Sequence, residues 1–383
     1  MKEKELLELF SEIKKKNKIL NLHEPYLSNQ DLRNVVKSIK SKHVAGKGEY
    51  VKTFEQKISQ ITDSRFVIAC STGTAALHLA LKSIKINSED EVLIPALNFI
   101  SSANAVLYCG AKPHFIDVSK KTLGVDPEKL SVYLKKIGKY KKNNLFNKFT
   151  GRKIKAIIPM HTFGHPCEID KILKITRKYN IICIEDAAEA IGSFFKKKHV
   201  GTFGLIGILS FNGNKTVTAG GGGAVLTSNK HIEKKIRNLS NQSKLNHNWK
   251  YDYEDVGYNY RMPNLNAALG CSQLDKLKYI LKQHRKIFHI YKKRLHKIKF
   301  GKIFQEPENC VSNYWLQTFV LNKPDIKFRD KLLNKTNKKN IHTRPAWQLM
   351  SNVKYLKHFP RMDLKNSKDL FCSIINLPSS FKL

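Results

Sequence analysis

Between Phe66 and Ser228 short apolar runs alternate with amphipathic stretches, and this rhythm leaves the chain few folds to choose from. Phe66-Val67-Ile68-Ala69-Cys70 is followed by Thr74 to Lys82, and Glu91-Val92-Leu93-Ile94-Pro95 by Ile100 to Cys109. The pattern continues through Pro113 to Asp117, Ile154 to Pro159, Asp170 to Tyr179, Ile181 to Glu185, Ile206 to Phe211 and Ala224 to Thr227. Alternation of strand-like and helix-like segments predicts an α/β layer, a mixed but mostly parallel sheet between helices, whose ligands gather at the carboxyl ends of the strands. The polar insert Lys139 to Arg152 breaks the rhythm and reads as a surface excursion.

Beyond Pro263 a long helical pattern runs through Tyr279 toward Lys299, followed by a strand at Tyr314 to Leu321 and a helix near Phe328 to Lys335. The expected organisation is an N-terminal helical arm (1–42), packed on the second domain or on a partner, a large α/β domain (43–275), and a connecting helix with a small C-terminal α+β domain (276–383). No stretch reaches the roughly 18 apolar residues of a membrane helix, and Met1 to Leu22 lacks the apolar block of a secretory signal. The seven cysteines are scattered without a CxxC pair, which argues for reduced thiols, against a metal site and for a cytoplasmic setting.

Three constellations carry candidate chemistry. Ser71-Thr72-Gly73-Thr74-Ala75-Ala76-Leu77 lies where a strand ends and a helix begins, so backbone N–H groups and the positive end of the helix dipole can meet a phosphate. An ordinary N-cap is the plainer reading of the same residues. In Ile184-Glu185-Asp186-Ala187-Ala188-Glu189 a buried-type strand delivers two acids to its carboxyl end, where they could bind a metal, serve as acid and base, hold a cationic ring nitrogen, or simply cap a helix. Ser210-Phe211-Asn212-Gly213-Asn214-Lys215-Thr216 precedes four consecutive glycines, Gly220 to Gly223. A lysine enclosed among such residues can become a nucleophile that forms a Schiff base, whereas a glycine turn beside a surface lysine is the plain alternative. A P-loop is excluded because the glycines follow the lysine. Together the three supply a phosphate cradle, an acid for a pyridinium nitrogen and a Schiff-base lysine, the parts needed to hold pyridoxal 5′-phosphate.

The charge invites a different class. With 69 Lys and Arg against 31 Asp and Glu the formal net charge is +38, enough to suggest nucleic-acid binding on a degenerate enzyme fold. Yet 58 of those 69 residues are Lys and 11 are Arg, and they are spread along the chain, which fits a solvated surface better than a specific groove reader. No specific nucleic-acid partner and no membrane is expected.

The chain resembles the DegT/DnrJ/EryC1/StrS sugar aminotransferases, which share the fold-type-I architecture of pyridoxal phosphate enzymes. The likeness spans roughly Leu22 to Pro378 and is strongest in Ser71–Leu81 (STGTAALHLAL), Asp90–Pro95 (DEVLIP), Pro159–Gly164 (PMHTFG), Glu185–Ala190 (EDAAEA), Ser210–Lys215 (SFNGNK) and Gly257–Met262 (GYNYRM). The wording PMHTFGHP, LSFNGNK and GGGGAVLT is most similar to the branch that aminates UDP-4-keto-6-deoxy-N-acetylhexosamines for bacillosamine- or legionaminic-acid-type sugars.

Carried over residue by residue, the resemblance makes Lys215 the Schiff-base lysine and Asp186 the partner of the pyridine nitrogen. Gly73, Thr74 and Ser210 become phosphate ligands, and Phe99 stacks on the cofactor ring. Asn259 reaches the phosphate of the neighbouring subunit's cofactor, which implies a homodimer with shared active sites. Glu189 stands where the broad family has Gln against the cofactor's phenolic oxygen, so its carboxyl must be protonated or turned elsewhere. His161 falls in a strand-end motif near the site, as a substrate contact or a satisfied structural histidine, and Arg344 is a candidate contact for the substrate's phosphate. The implied reaction takes an amino group from glutamate to the 4-keto carbon of a nucleotide-linked sugar. A related subgroup dehydrates the sugar instead and carries His in place of the lysine, whereas position 215 is Lys.

Overall fold

The computed structural model of the chain describes residues 6–8, 10, 19–46 and 48–380. The apolar runs between Phe66 and Thr227 form one sheet: β1 (Phe66–Cys70), β2 (Asp90–Pro95), β3 (Lys112–Ile116), β4 (Lys153–Ile157), β5 (Ile182–Asp186), β6 (Ile206–Ser210) and β7 (Gly223–Thr227), in the order β1-β7-β6-β5-β4-β2-β3. β7 runs antiparallel to both neighbours, and the remaining pairs are parallel. The carboxyl ends of six strands and the amino end of β7 therefore share one edge of the sheet.

Side chains alternate between faces along each strand, and both faces are covered. Val67, Ala69, Leu93, Ile157, Cys183, Leu209 and Leu226 belong to one buried cluster, while Ile68, Cys70, Val92, Ile94, Ile158, Ile184, Ile208 and Val225 belong to the other. Each Val, Leu and Ile among them contributes roughly 1.5–3 kcal/mol by leaving water. In a sheet apolar on both faces polar groups gather chiefly toward strand ends, and the site forms at such an edge.

The stretch read as a surface excursion is largely exposed and also extends the sheet. Gly138–Lys141 and Asn144–Asn147 pair as a hairpin, and Phe146 pairs with Lys153 at the start of β4. The cause lies in β2, where the buried carboxylate of Glu91 takes hydrogen bonds from Asn147 Nδ2 at 3.1 Å, from the Thr150 hydroxyl and from His114 Nδ1 at 2.7 Å. Polar residues of the insert are needed to satisfy that buried charge.

The helical pattern after Pro263 divides at Lys276 into helices Asn264–Asp275 and Leu277–Leu295. A second sheet follows, with strands β8 (Gly301–Ile303), β9 (Gln317–Leu321), β10 (Arg344–Pro345) and β11 (Ile374–Leu377) in the order β8-β9-β11-β10, every neighbour antiparallel. Helix Ile326–Lys338 packs Leu332 into the cluster formed by Phe319, Ile375 and Leu377. Of the arm expected over 1–42, residues 1–5, 9 and 11–18 lie outside the described residues. Helix Asn29–Lys40 docks on helix Asn264–Asp275, with Gln273 Nε2 donating to Asp31 Oδ1 at 3.0 Å, while Leu20 pairs with Ile341 of the smaller unit. The arm thus touches both parts of the chain. Among the described residues no helix is long and apolar enough to cross a membrane.

Candidate active site

At the end of β1 the chain turns directly into helix Gly73–Ser83, and Thr72 caps it by accepting the Ala75 N–H on its hydroxyl at 3.0 Å. The N-cap reading holds, and it is compatible with an anion cradle because helix N-terminal N–H groups lack intrahelical partners at this edge of the sheet. A Cβ at Gly73 would lie 3.0 Å from that of Ser210, and one at Gly223 would lie 2.4 Å from the Thr72 carbonyl oxygen. The absence of these side chains lets β6 and β7 close on the helix start. Thr74 donates to Ser101 Oγ at 3.0 Å, so Thr72, Thr74, Ser101 and Ser210 ring one rim of a cavity of about 290 Å³.

The two acids ending β5 separate. Asp186 faces the cavity, its Oδ2 accepting the Ser102 hydroxyl at 3.0 Å and its Oδ1 the Ala188 N–H at 3.2 Å. Burial raises its carboxyl above the ordinary range, against the opposing pull of those bonds and of the Lys215 charge. Glu185, on the opposite face of the strand, takes N–H bonds from Gly201 at 2.9 Å, Phe203 at 2.6 Å and Gly204 at 2.7 Å. His161 completes this set: its Nε2 lies 3.1 Å from Glu185 Oε2, and its Nδ1 accepts the Cys167 N–H at 3.2 Å, which places the ring proton on Nε2. His161 is wholly buried, does not line the cavity, and donates its own N–H to the Asp186 carbonyl at 3.0 Å. It fixes the strand end that carries Asp186, which corrects its expected place against substrate.

Lys215 enters the cavity from the loop between β6 and β7. Its Nζ stands 3.1 Å from Glu189 Oε1 and 4.1 Å from the centroid of the Trp315 ring. Trp315 is held in turn by Nε1–H to the Asn214 carbonyl at 2.7 Å and by Asn313 Oδ1, which accepts the Trp315 N–H at 2.9 Å. The lysine side chain is 14% exposed, so the surface-lysine reading does not hold.

Phe99 lines the same cavity, 49% exposed, with Trp347 edge-on at 6.4 Å between centroids. Arg344 lies outside it, on a second chamber of about 460 Å³ that shares Asn214, Trp315 and Trp347 with the first. Asn259 is exposed and away from this chain's cavity, in a bridge with Asn241. The structure therefore brings together Gly73, Thr74, Phe99, Asp186, Glu189, Ser210 and Lys215, and sets His161, Asn259 and Arg344 apart. Sequence reasoning missed Ser102, Trp315 and Trp347. The tryptophans had a signal in their rarity, since two of the three in the chain line this cavity.

The donor set fits pyridoxal 5′-phosphate. One cavity wall offers a carboxylate for the ring nitrogen, hydroxyls and a helix N-terminus for the phosphate, and an amine beside the Trp315 ring for the aldehyde. The comparisons agree. The model of the DegT/DnrJ/EryC1/StrS aminotransferase family matches residues 25–383. A GDP-perosamine synthase of Escherichia coli O157:H7 is 34% identical over 367 residues, 94% of this chain and 93% of that protein. Another of the same name from Caulobacter vibrioides is 31% identical over 363 residues, again 94% and 93%. Among solved structures, a DegT DnrJ EryC1 StrS aminotransferase of Brucella abortus superposes with a TM-score of 0.83 at 25% identity, covering 92% of this chain and 90% of that one. TlmJ of Streptoalloteichus hindustanus shares the fold at a TM-score of 0.85 and 22% identity, over 95% and 94%. The chain belongs to the DegT/DnrJ/EryC1/StrS aminotransferase family and is a pyridoxal phosphate-dependent sugar aminotransferase.

Proposed function

We propose that the protein moves an amino group from glutamate to the 4-keto carbon of a nucleotide-linked 4-keto-6-deoxy sugar, working as a homodimer for surface-glycan sugar synthesis. The observation that supports this reading is a second chamber of about 460 Å³ that shares Asn214, Trp315 and Trp347 with the cavity of Lys215 and Asp186 and has Arg344 and His342 on its wall. Relatives named GDP-perosamine synthase favour a GDP-linked sugar over the UDP-N-acetylhexosamine suggested by motif wording.

Pyridoxal phosphate, when bound, supplies an electron sink for a carbanion formed beside its ring. The Asp186 carboxylate, steadied by Ser102 and Ala188, keeps a proton on the pyridine nitrogen. Thr74, Ser210 and the N–H groups at Gly73 hold the phosphate against the dipole of their helix. Lys215 Nζ would anchor the cofactor and, when free, would take a proton from the donor's α-carbon and deliver one to C4 of the sugar. Asn259, exposed on its loop, is available to a neighbouring subunit's site.

The test is an assay of the purified protein with glutamate and GDP-, UDP- and dTDP-linked 4-keto-6-deoxy sugars, scoring 2-oxoglutarate and the amino sugar. Amination with the GDP-linked substrate is expected. Loss of a hydroxyl from the sugar without uptake of nitrogen, or full turnover by Lys215→Ala, overturns the reading.

A further inference from the structure

The ion pair between Lys215 and Glu189 faces the cavity yet is nearly closed to water, with side-chain exposures of 14% and 2%. Its geometry is over-determined. Glu189 Oε1 meets Nζ at 3.1 Å, while Oε2 accepts the Phe163 N–H at 2.9 Å. Phe163 presents that N–H from a left-handed conformation, φ 55°, which is costly for an aromatic residue. Asn313 Nδ2 fixes the Glu189 carbonyl at 2.8 Å. A carboxylate held this firmly against an amine has a chemical consequence.

An ammonium has no lone pair, so it cannot attack an aldehyde until a base takes one of its protons. We propose that Glu189 is the general base for capture of the cofactor: its Oε1 takes one proton from Lys215 Nζ, and the lone pair so freed bonds to the aldehyde carbon of pyridoxal phosphate. The carbonyl oxygen leaves as water with the two protons remaining on the amine, the C=N bond replaces C=O, and Glu189 ends as the neutral acid. No electrons are gained or lost.

The surroundings favour that transfer. Burial raises the Glu189 carboxyl, opposed by the Lys215 charge and the Phe163 N–H and reinforced by the nearby negative charge of Asp186 on β5. From the N-terminal segment His23 also faces Lys215, and burial, His284 and Lys215 itself keep that ring neutral, so it adds no competing cation. The Trp315 face next to Nζ contributes no proton acceptor.

The inference rests on the cofactor and not on the identity of the sugar. The test mixes the full chain, stripped of cofactor, with pyridoxal phosphate and follows the visible absorbance of the imine from about pH 6 to about pH 9. Wild type is expected to capture the cofactor at a nearly constant rate. Glu189→Gln keeps an oxygen for the Phe163 N–H but cannot take a proton, and it is expected to be at least about tenfold slower at neutral pH, with a rate that climbs up to about tenfold per pH unit. Glu189→Asp, which retains a carboxylate, is expected to keep the flat profile. The proposal is overturned if Glu189→Gln matches wild type, or if it is slower by one factor at every pH, the mark of lost positioning alone. Capture is scored without donor or sugar, so its failure is separable from failure of the amination; wild type that forms no imine would overturn the cofactor assignment as well.

Discussion

Ser102 donates its hydroxyl to Asp186 Oδ2 at 3.0 Å, and Asn98 Nδ2 donates to Ser102 Oγ at 3.2 Å, so a short hydrogen-bonded chain steadies the acid at the end of β5. Ser102 sits in helix Ser101–Tyr108, and its bond favours one rotamer of the buried carboxylate proposed to meet the ring nitrogen. Ser102→Ala removes one bond to a charged group, about 1.5 kcal/mol or more, and is expected to weaken pyridoxal phosphate binding about tenfold or more while the fold remains intact. Equilibrium dialysis measures this directly. Unchanged affinity would mean that Ala188 alone orients Asp186.

Gly223 and Gly221 lie two residues apart and predict opposite outcomes. A Cβ at Gly223 would come within 2.4 Å of the Thr72 carbonyl oxygen and 2.7 Å of the Gly73 nitrogen, so Gly223→Ala must push β7 away from the helix start. The expected loss is roughly 1–3 kcal/mol of stability. At Gly221 the nearest atom to a new Cβ is the Ser71 carbonyl oxygen at 3.9 Å, ordinary contact, so Gly221→Ala should leave the melting temperature nearly unchanged. Calorimetry of the two variants without cofactor separates them, and equal melting temperatures would refute the packing argument.

These contrasts show which parts of the site could be read from the amino-acid sequence. Gly73, Asp186 and Lys215 were legible because each follows a buried apolar run, and the end of such a run is where the sheet must expose its polar groups. Ser102 was not, since a serine at the start of a helix has many local partners and its bond to Asp186 spans 84 residues. The insert 139–152 was legible as surface but not as a hairpin tied to the sheet, because Asn147 and Thr150 satisfy a carboxylate on β2, and burial of Glu91 leaves no mark in the sequence. Trp315 and Trp347 reach the cavity from the C-terminal part of the chain through tertiary packing that periodicity does not encode.

Glu185 predicts an acid-sensitive fold. Burial alone would raise its carboxyl, but the hydrogen bond from His161 Nε2–H, with the Gly204 and Gly201 N–H groups, brings it below the ordinary value of 4.5. A carboxyl lowered on folding binds fewer protons in the folded state than in the unfolded one. Its contribution is therefore fully present above about pH 4.5 and drains away as pH falls through the lowered value. Glu185→Gln should cost stability near neutral pH, and the gap to wild type should narrow below about pH 4.5 in urea melts run across the range. A gap that is constant with pH would assign the loss to packing.

Arg344 lines the second chamber and not the cavity of Lys215 and Asp186, and the two half-reactions can test its proposed contact with substrate. Its Nη1 donates to Asn337 Oδ1 at 2.8 Å and to the Thr343 carbonyl at 3.0 Å, which fixes the guanidinium at the edge of β10 while its Nε and Nη2 donors stay available. It lines the second chamber with His342, Asn376 and Glu24, where the negative charge of Glu24 leaves a diphosphate dependent on a cation for its binding. Arg344→Ala is expected to raise KM for the sugar nucleotide about tenfold or more, with the glutamate half-reaction unchanged, and Arg344→Lys should recover part of the loss because a point charge remains without the fork. The penalty should shrink as ionic strength rises, since the residue is exposed and screened. Single-turnover measurement of each half-reaction decides the matter: an equal loss in both would move Arg344 from substrate recognition to support of the fold.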